Sequence, residues 1–347
     1  MACESRRYPH FRRFVLRALG PVSIVVLVAM SMRMVSDGFD GIPYVPIVVA
    51  AMPWLAVVSL VVGLTALVMR RRALAAISAL CLLVQLFWHW GFLVPTDRLP
   101  ATAGPAMVSS AAGRIDDGIA RIMTLNTHNG LADPEAIVAL VREEHVEVLA
   151  LQELKGGIVR ELDDAGLGKV LPHSVVGHVS GDDNGGVNGL WSRAPMSEKT
   201  TGLISIEASS VPAGSIDLGG RDVWFGAVHP YSPRPSNREL WGRGLDEISR
   251  LGHDGRTYVL MGDFNSSWDH PSFRALLGDR FVDAGQRAGE GFHMTYPADR
   301  TFLGLSLPPL VEIDHIVHDR DVIVGDLETR RVLGSDHMAL LATVAVR

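Results

Sequence analysis

Two runs of this chain, Ile42 to Met69 and Ala73 to Val94, carry no Asp, Glu, Lys or Arg over more than 20 consecutive positions. About 20 apolar residues rising 1.5 Å each cross the roughly 30 Å of hydrocarbon in a bilayer, and helices of soluble folds keep a polar face. A third run, Ala18 to Met32, has an uncharged core of 15 residues between Arg17 and Arg33. It spans only if those two side chains snorkel to the interfaces. A signal peptide is the competing reading of this run, but no small-x-small cleavage site follows Met32. Trp88, Trp90 and Phe92 fit an interfacial aromatic belt at the end of the third span, or equally a packed helix face.

The arginines set an orientation. Arg6, Arg7, Arg12 and Arg13 precede the first run and Arg70, Arg71 and Arg72 join the other two, while the first loop carries Asp37 and Asp40. Arginine-rich loops stay cytoplasmic, so everything after Val94 is expected outside. Residues 1–119 hold 11 Arg and 6 acidic residues (+5); residues 120–347 hold the other 21 basic and 32 acidic ones (−11). A part this acidic has no global attraction for a phosphate backbone, so nucleic acid is not favoured as a partner, although a local groove or a bound metal can override net charge. Both cysteines, Cys3 and Cys81, lie before residue 120, so residues 120–347 have no disulfide framework. The segment Pro95 to Ala120, rich in Ala, Gly, Ser and Pro, reads as a linker. The expected organisation is a membrane anchor of about three transmembrane helices over 1–99, a linker over 100–119 and a soluble unit over 120–347.

In that unit, short apolar strands deliver polar residues at or beside their ends. Arg121 to Asn126 is one such strand; Asp133-Pro134-Glu135 then opens a helix to about Glu144 with an N-cap and a first-turn proline. Val146 to Leu151 leads to Gln152-Glu153, Asp222 to Val228 to His229-Pro230, and Thr257 to Met261 to Gly262-Asp263-Phe264-Asn265. Val311 to Ile313 leads into Asp314-His315, and Ser335-Asp336-His337 precedes a last strand, Met338 to Val346. Many strands with few helices suggest an α/β sandwich with mixed sheets.

A carboxylate at the end of a buried strand must be paired or metal-bound to offset its desolvation. Glu153, Asp263, Asp314 and Asp336 stand in that position with few Lys or Arg nearby. Such oxygen donors suit a hard cation, Mg2+ or Mn2+. Zinc held by His229, His315, His318 and His337 is the rival metal reading, weakened because no His-x3-5-His pair sits on a recognisable helix. His128, His315 and His318 read as structural residues or as supports beside the site rather than catalysts. The polar loop Gly181 to Gly186 rims a cleft or simply turns.

Leu125-Asn126, Gln152-Glu153, Val228-His229, Gly262-Asp263-Phe264-Asn265, Ile313-Asp314-His315-Ile316 and Ser335-Asp336-His337 together resemble, in order and spacing, the endonuclease/exonuclease/phosphatase superfamily. The resemblance covers about residues 121–347. Gly189 to Pro195 resembles a further family segment, with Trp191 as a departure. The resemblance implies a deoxyribonuclease I-like four-layer α/β sandwich with two mixed β-sheets, here preceded by an N-terminal helical transmembrane region. It implies a Mg2+ or Mn2+ cofactor on Glu153, Asn126 and Asp336. Asp263 would activate or orient the attacking water, Asn265 would donate its amide to a phosphate oxygen, and His229 would be a second phosphate donor or a general acid toward the leaving group. His337, partnered by Asp314, would stabilise transition-state charge. Tyr231 and Arg234, in the segment Pro230 to Pro235 just after His229, are further candidate substrate contacts or equally parts of a rigid surface loop.

The expected activity is hydrolysis of a phosphoester on the extracytoplasmic side of the plasma membrane. The anchor favours a lipid-linked phosphate or pyrophosphate, which it brings to high effective concentration. The expected partners are therefore the lipid bilayer and a phosphorylated substrate, with no protein partner inferable. A membrane-tethered nuclease and a non-enzymatic signalling or binding protein are the alternatives; the second should have lost a catalytic residue, and none is missing.

Overall fold

The computed structural model describes residues 9–37, 39–101, 103, 118–178 and 184–347. Arg6, Arg7, residues 104–117 of the expected linker and Gly181–Asp183 of the polar loop lie outside them.

The N-terminal part is helical: α1 (Pro9–Met32), α2 (Val45–Ala50), α3 (Met52–Val68), α4 (Arg72–Trp88) and α5 (Trp90–Leu93). The shortest apolar run of the sequence gives the longest helix, because α1 takes in Arg12, Arg13 and Arg17; among the described residues its segment Arg12–Met32 is the one helix long and apolar enough to cross a membrane. The second run breaks at Ala51, since Pro53 in the first turn of α3 has no N–H to continue a helix from α2. The third breaks at His89, whose ring turns to a carboxylate of the second unit. Thus α3 and α4 are 17 residues each, roughly 25 Å, and near-continuous with their short neighbours. The three long helices pack in two layers. Leu16 and Leu19 meet Val62, Ala66 and Leu74 near the Arg70–Arg72 turn, and Val26 and Met30 meet Met52, Cys81 and Trp88 at the other end. The outer faces expose Ile24, Val25, Val57, Leu60, Leu64, Leu80, Leu83 and Phe87.

Residues 119–347 build two six-stranded mixed sheets. The first runs in the order Val322–Arg331, Met338–Val346, Ile119–Asn126, Val148–Leu154, Val187–Ser192, His173–Val176. The second runs Phe281–Asp283, Asp314–Asp319, Thr257–Asp263, Arg221–Val228, Ala213–Leu218, Lys199–Thr200. Successive side chains of a strand point to opposite faces, and here both faces find cover. Ile122, Ala150, Leu340 and Ala342 meet Phe225, Ala227, Val259 and Met261 between the sheets. The alternate residues Met123, Leu125, Leu149 and Leu151 pack under the helix Pro134–Glu143, through its Ile137, Val138 and Val141. Trp224, Val228 and Leu260 do the same under Arg238–Ser249 and Pro271–Leu277. This is the expected α/β sandwich with helices outside both sheets. Trp191 lies in the outer core of the first sheet.

Two expectations need correction. Val311 to Ile313 is not a strand: Val311 makes only an isolated bridge to Tyr296, and the strand begins at Asp314, after Pro308-Pro309 has removed two donors. The chain after α5 is also no free tether over its described part. Thr96 N–H donates to Arg287 O at 2.9 Å, Asp97 pairs with Arg287 and Arg347, and Ala103 is buried beside Ile119 and Ala345.

The helices and the sandwich are docked directly. Arg33 at the end of α1 and His89 at the end of α4 both reach Asp269, at 2.5 and 3.0 Å, and all three are buried. Asp40 accepts from Ser272 N–H at 2.8 Å and from its hydroxyl at 2.6 Å. The Trp54 indole N–H donates to Leu310 O at 2.7 Å, and Phe92 stacks on Phe292 at 4.5 Å.

Candidate active site

Each sheet contains one parallel pair, Ile119–Asn126 with Val148–Leu154 and Arg221–Val228 with Thr257–Asp263. Their carboxyl ends, with the amino ends of the antiparallel strands Asp314–Asp319 and Met338–Val346, converge at one edge of the sandwich. This convergence brings Asn126, Glu153, His229, Asp263, Asp314 and His337 together from six distant stretches of sequence. Asp263 and Asp314 are direct cross-strand partners.

Local backbone aims the groups. An irregularity between Leu151 and Leu154 lifts Glu153 out of the ladder, with φ at 58°, an uncommon conformation for a non-glycine residue. Gly185 (φ 86°) closes over that carboxylate, and a Cβ there would lie 2.5 Å from it. Before Asp263, Gly262 lets the parallel neighbour approach, since a Cβ would lie 2.0 Å from Val228 O.

The Asn126 amide donates to Glu153 Oε1 and to Asp263 Oδ2, both at 3.1 Å, while its own oxygen accepts His128 N–H at 2.9 Å. Glu153 Oε2 accepts Asn129 N–H at 2.7 Å. Asp263 Oδ1 accepts Asn265 N–H at 2.7 Å, and its Oδ2 lies 3.6 Å from His229 Nε2 and 3.7 Å from His337 Nε2. His337 Nδ1 lies 2.7 Å from Asp314 Oδ2, so that its other nitrogen faces the cleft. The Asn184 amide reaches His229 Nε2 at 3.3 Å and Pro230 O at 3.1 Å. Asp336 stands 3.8 Å from His128 Nε2.

Burial raises the Asp263 carboxyl, with Asp314 adding to it and His337 and His229 opposing. Burial likewise raises Asp336. Burial alone would lower the His337 imidazole, but the Asp314 and Asp263 carboxylates outweigh it and hold it up at about 10, protonated at neutral pH. Glu153 Oε1 and Asp263 Oδ2 share one amide nitrogen, and Asp314 Oδ1 is buried without a hydrogen bond. Four carboxylates against two buried imidazoles is a donor set that a hard divalent cation would complete, and Asp263, Asp314 and His337 fall within 4.8 Å of one another.

Glu153, His229, Arg234, Asp263, Asn265, Asp336 and His337 line one cleft, with Asn126 and Asp314 hydrogen-bonded to members of that lining. Tyr231 does not belong there: its ring is buried in the outer core with Trp241 and Leu245. The four-histidine zinc set is not assembled, because His315 turns to Asp283 at 2.9 Å and His318 to the Asp319 carbonyl at 2.9 Å, away from the cleft. His128, read from sequence as structural or as a support beside the site, lines the cleft, as do Asn184, Gly185 and Tyr296. Asn184 and Gly185 belong to the polar loop already singled out. The N-terminal lining residues Tyr44, Pro46 and Ile47 carry no sequence signal at all.

The family model for the endonuclease/exonuclease/phosphatase family matches residues 123–337. Among solved structures, TDP2 from D. rerio complexed with single strand DNA product is similar at 14% identity, covering 66% of this chain and 100% of that one with a TM-score of 0.54. An endonuclease/exonuclease/phosphatase family protein from Leptotrichia buccalis is similar at 17% identity, covering 65% and 99%, with a TM-score of 0.51. No curated protein matches. At such identities the likeness to these structures is one of fold.

Proposed function

The chain belongs to the endonuclease/exonuclease/phosphatase family, whose members are divalent-metal-dependent phosphoester hydrolases, and from that premise we propose a membrane-anchored enzyme acting outside the cytoplasm on a lipid-borne phosphate or pyrophosphate. One observation carries this reading: Tyr44, Pro46 and Ile47, from the helical part, form a wall of the same cleft as Glu153, Asp263 and His337. The apolar outer faces of the bundle and the arginines at its far end support a bilayer around it.

Glu153, Asn126 and Asp336 are the residues that would hold Mg2+ or Mn2+. The ion neutralises phosphate charge and stabilises the leaving oxygen when bound. Asp263 orients the attacking water and takes its proton, a role that its raised carboxyl favours. His337, kept protonated by Asp314, presents Nε2–H to a phosphate oxygen, and Asn265 offers its amide to another. His229, buried beside Glu153 and Asp263, serves the leaving group. Arg234 at the exposed rim meets further substrate charge.

A tethered nuclease is the second reading, favoured by the single strand DNA product bound to the D. rerio protein. The −11 balance of residues 120–347 opposes it. The deciding assay measures hydrolysis of a polyprenyl pyrophosphate, a phospholipid and single- and double-stranded DNA at equal phosphate concentration, with Mg2+ and with EDTA, read as phosphate released directly from the pyrophosphate and as cleavage products separated by chromatography or electrophoresis for the two diesters. The lipids should be cleaved faster, and only with the metal; DNA cleaved far faster than either lipid puts the nuclease reading in its place.

A further inference from the structure

Among the described residues after 118, large apolar side chains are exposed at only seven positions: Leu131, Leu333 and five between Phe302 and Leu310. All seven lie on segments that also supply, or run between, lining residues of the cleft. Leu131 follows the lining residues His128 and Asn129, and Leu333 precedes Asp336 and His337. The five lie between Tyr296 and Ile313, both lining residues, on or beside the hairpin formed by Thr301–Phe302 and Leu305–Ser306, whose tip residue Leu303 is 88% exposed.

These loops touch one another and the bundle. Arg331 donates to Ser306 Oγ at 3.3 Å, and a Cβ on Gly334 would fall 2.1 Å from Leu131 O, so the hairpin, the 331–334 turn and the 128–131 loop form one contiguous collar. The Trp54 indole bond to Leu310 O sets the base of the hairpin level with the first turn of α3. Tyr44 and Ile47, at 80% and 72% exposed, continue the apolar rim across the cleft. Seven exposed side chains scattered over a surface would be ordinary. Their confinement to the mouth of the catalytic cleft, in continuity with the end of an apolar bundle, is not.

We propose that this collar rests in the interfacial layer of the outer leaflet, so that the cleft opens onto the bilayer and receives the phosphate of a lipid whose chains stay in the membrane. Exposed Arg300 and Arg331 at the base of the hairpin face the level of the headgroups, where cations meet lipid phosphates. The depth is interfacial, because edge backbone groups of a two-stranded hairpin find no partners in hydrocarbon. The lipid-substrate part rests on the function proposed above; contact of the collar with the bilayer does not.

The test uses the full chain in phosphatidylcholine vesicles containing a doxyl-labelled lipid. A polarity-sensitive fluorophore is placed on Leu303→Cys, or on Asp321→Cys in the turn at the far end of the sandwich. Cys3 is replaced by serine, and Cys81 is buried. The Leu303 label should shift to the blue and be quenched, and the Asp321 label should do neither. An unquenched Leu303 label, including one buried instead by a second copy of the chain, overturns the proposal. In a second measurement, Phe302→Asp with Leu303→Asp should lower the ratio of lipid to short-chain soluble substrate turnover by at least about tenfold, two large side chains having left the apolar phase. An unchanged ratio overturns the role of the collar in substrate uptake. A quenched label on an enzyme that hydrolyses no lipid phosphate leaves the collar standing and sinks the substrate assignment alone.

Discussion

Replacing Asp314 by Asn keeps the shape of the site and removes one charge. His337 Nδ1 sits 2.7 Å from Asp314 Oδ2, both groups are buried, and the imidazole is held up at about 10. Burial opposes that charge while Asp263 and Asp336 still support it, so without the Asp314 carboxylate the imidazole falls from about 10 toward its ordinary range. A fall all the way to the ordinary value of about 6.5 would leave roughly one molecule in 30 protonated at pH 8, which sets the ceiling on the loss of kcat/KM from protonation alone. The sign gives the assay its discrimination. The Asp314→Asn activity should rise by up to about tenfold per unit as pH is lowered from 8.5 toward 6.5, whereas His337 imposes no such slope on the unsubstituted protein below about pH 9. Saturating Mg2+ lowers both imidazoles alike, so the difference between the profiles is the readout. The raised value also means that the pair stabilises the fold fully below pH 6.5 and loses that contribution as pH climbs through about 10. His337→Ala should cost at least about 100-fold, and adding Asp314→Asn to it little more, since the pair acts as one unit. Parallel pH profiles for Asp314→Asn and the unsubstituted protein would refute the pairing as the source of the charge.

Glu153→Ala should abolish Mg2+- or Mn2+-dependent phosphate release, and full activity in excess EDTA would remove the metal from the reaction. Arg33→Met leaves the Asp269 carboxylate buried without its guanidinium partner, which should cost about 3–5 kcal/mol, seen as a fall of roughly 6–20 °C in the unfolding midpoint. Arg33→Met with Asp269→Leu should recover most of it, and a double variant no better than the single would mean that packing, not charge, holds the junction. A reporter fused after Arg347 should be exported, and cytoplasmic activity would overturn the arginine-based orientation.

Much of the site was legible in the sequence because the chemistry is local to strand ends: Gly262-Asp263-Phe264-Asn265 and Ser335-Asp336-His337 each pair an apolar strand with groups that burial would penalise unless they met partners. The apolar strands and the helix at Pro134 were equally readable from local pattern, as were the uncharged runs near the start. Sequence spacing carries no information on which loop closes a cleft from across the molecule, or on which way a ring turns. Tyr231 follows His229 by two residues yet, beyond the end of the strand, packs into the core beside Trp241; His315 adjoins Asp314 yet faces Asp283, because successive strand residues face opposite ways. Pro53 divided a run that looked continuous. A presumed free tether proved partly packed, because Asp97 finds Arg287 and Arg347 only in three dimensions. The bond from Trp54 to Leu310 and the place of Tyr44 and Ile47 in the cleft lined by Glu153, Asp263 and His337 are likewise tertiary facts, fixed by docking of α1, α3 and α4 onto the sandwich through buried Asp269 and the Leu310 carbonyl rather than by any motif.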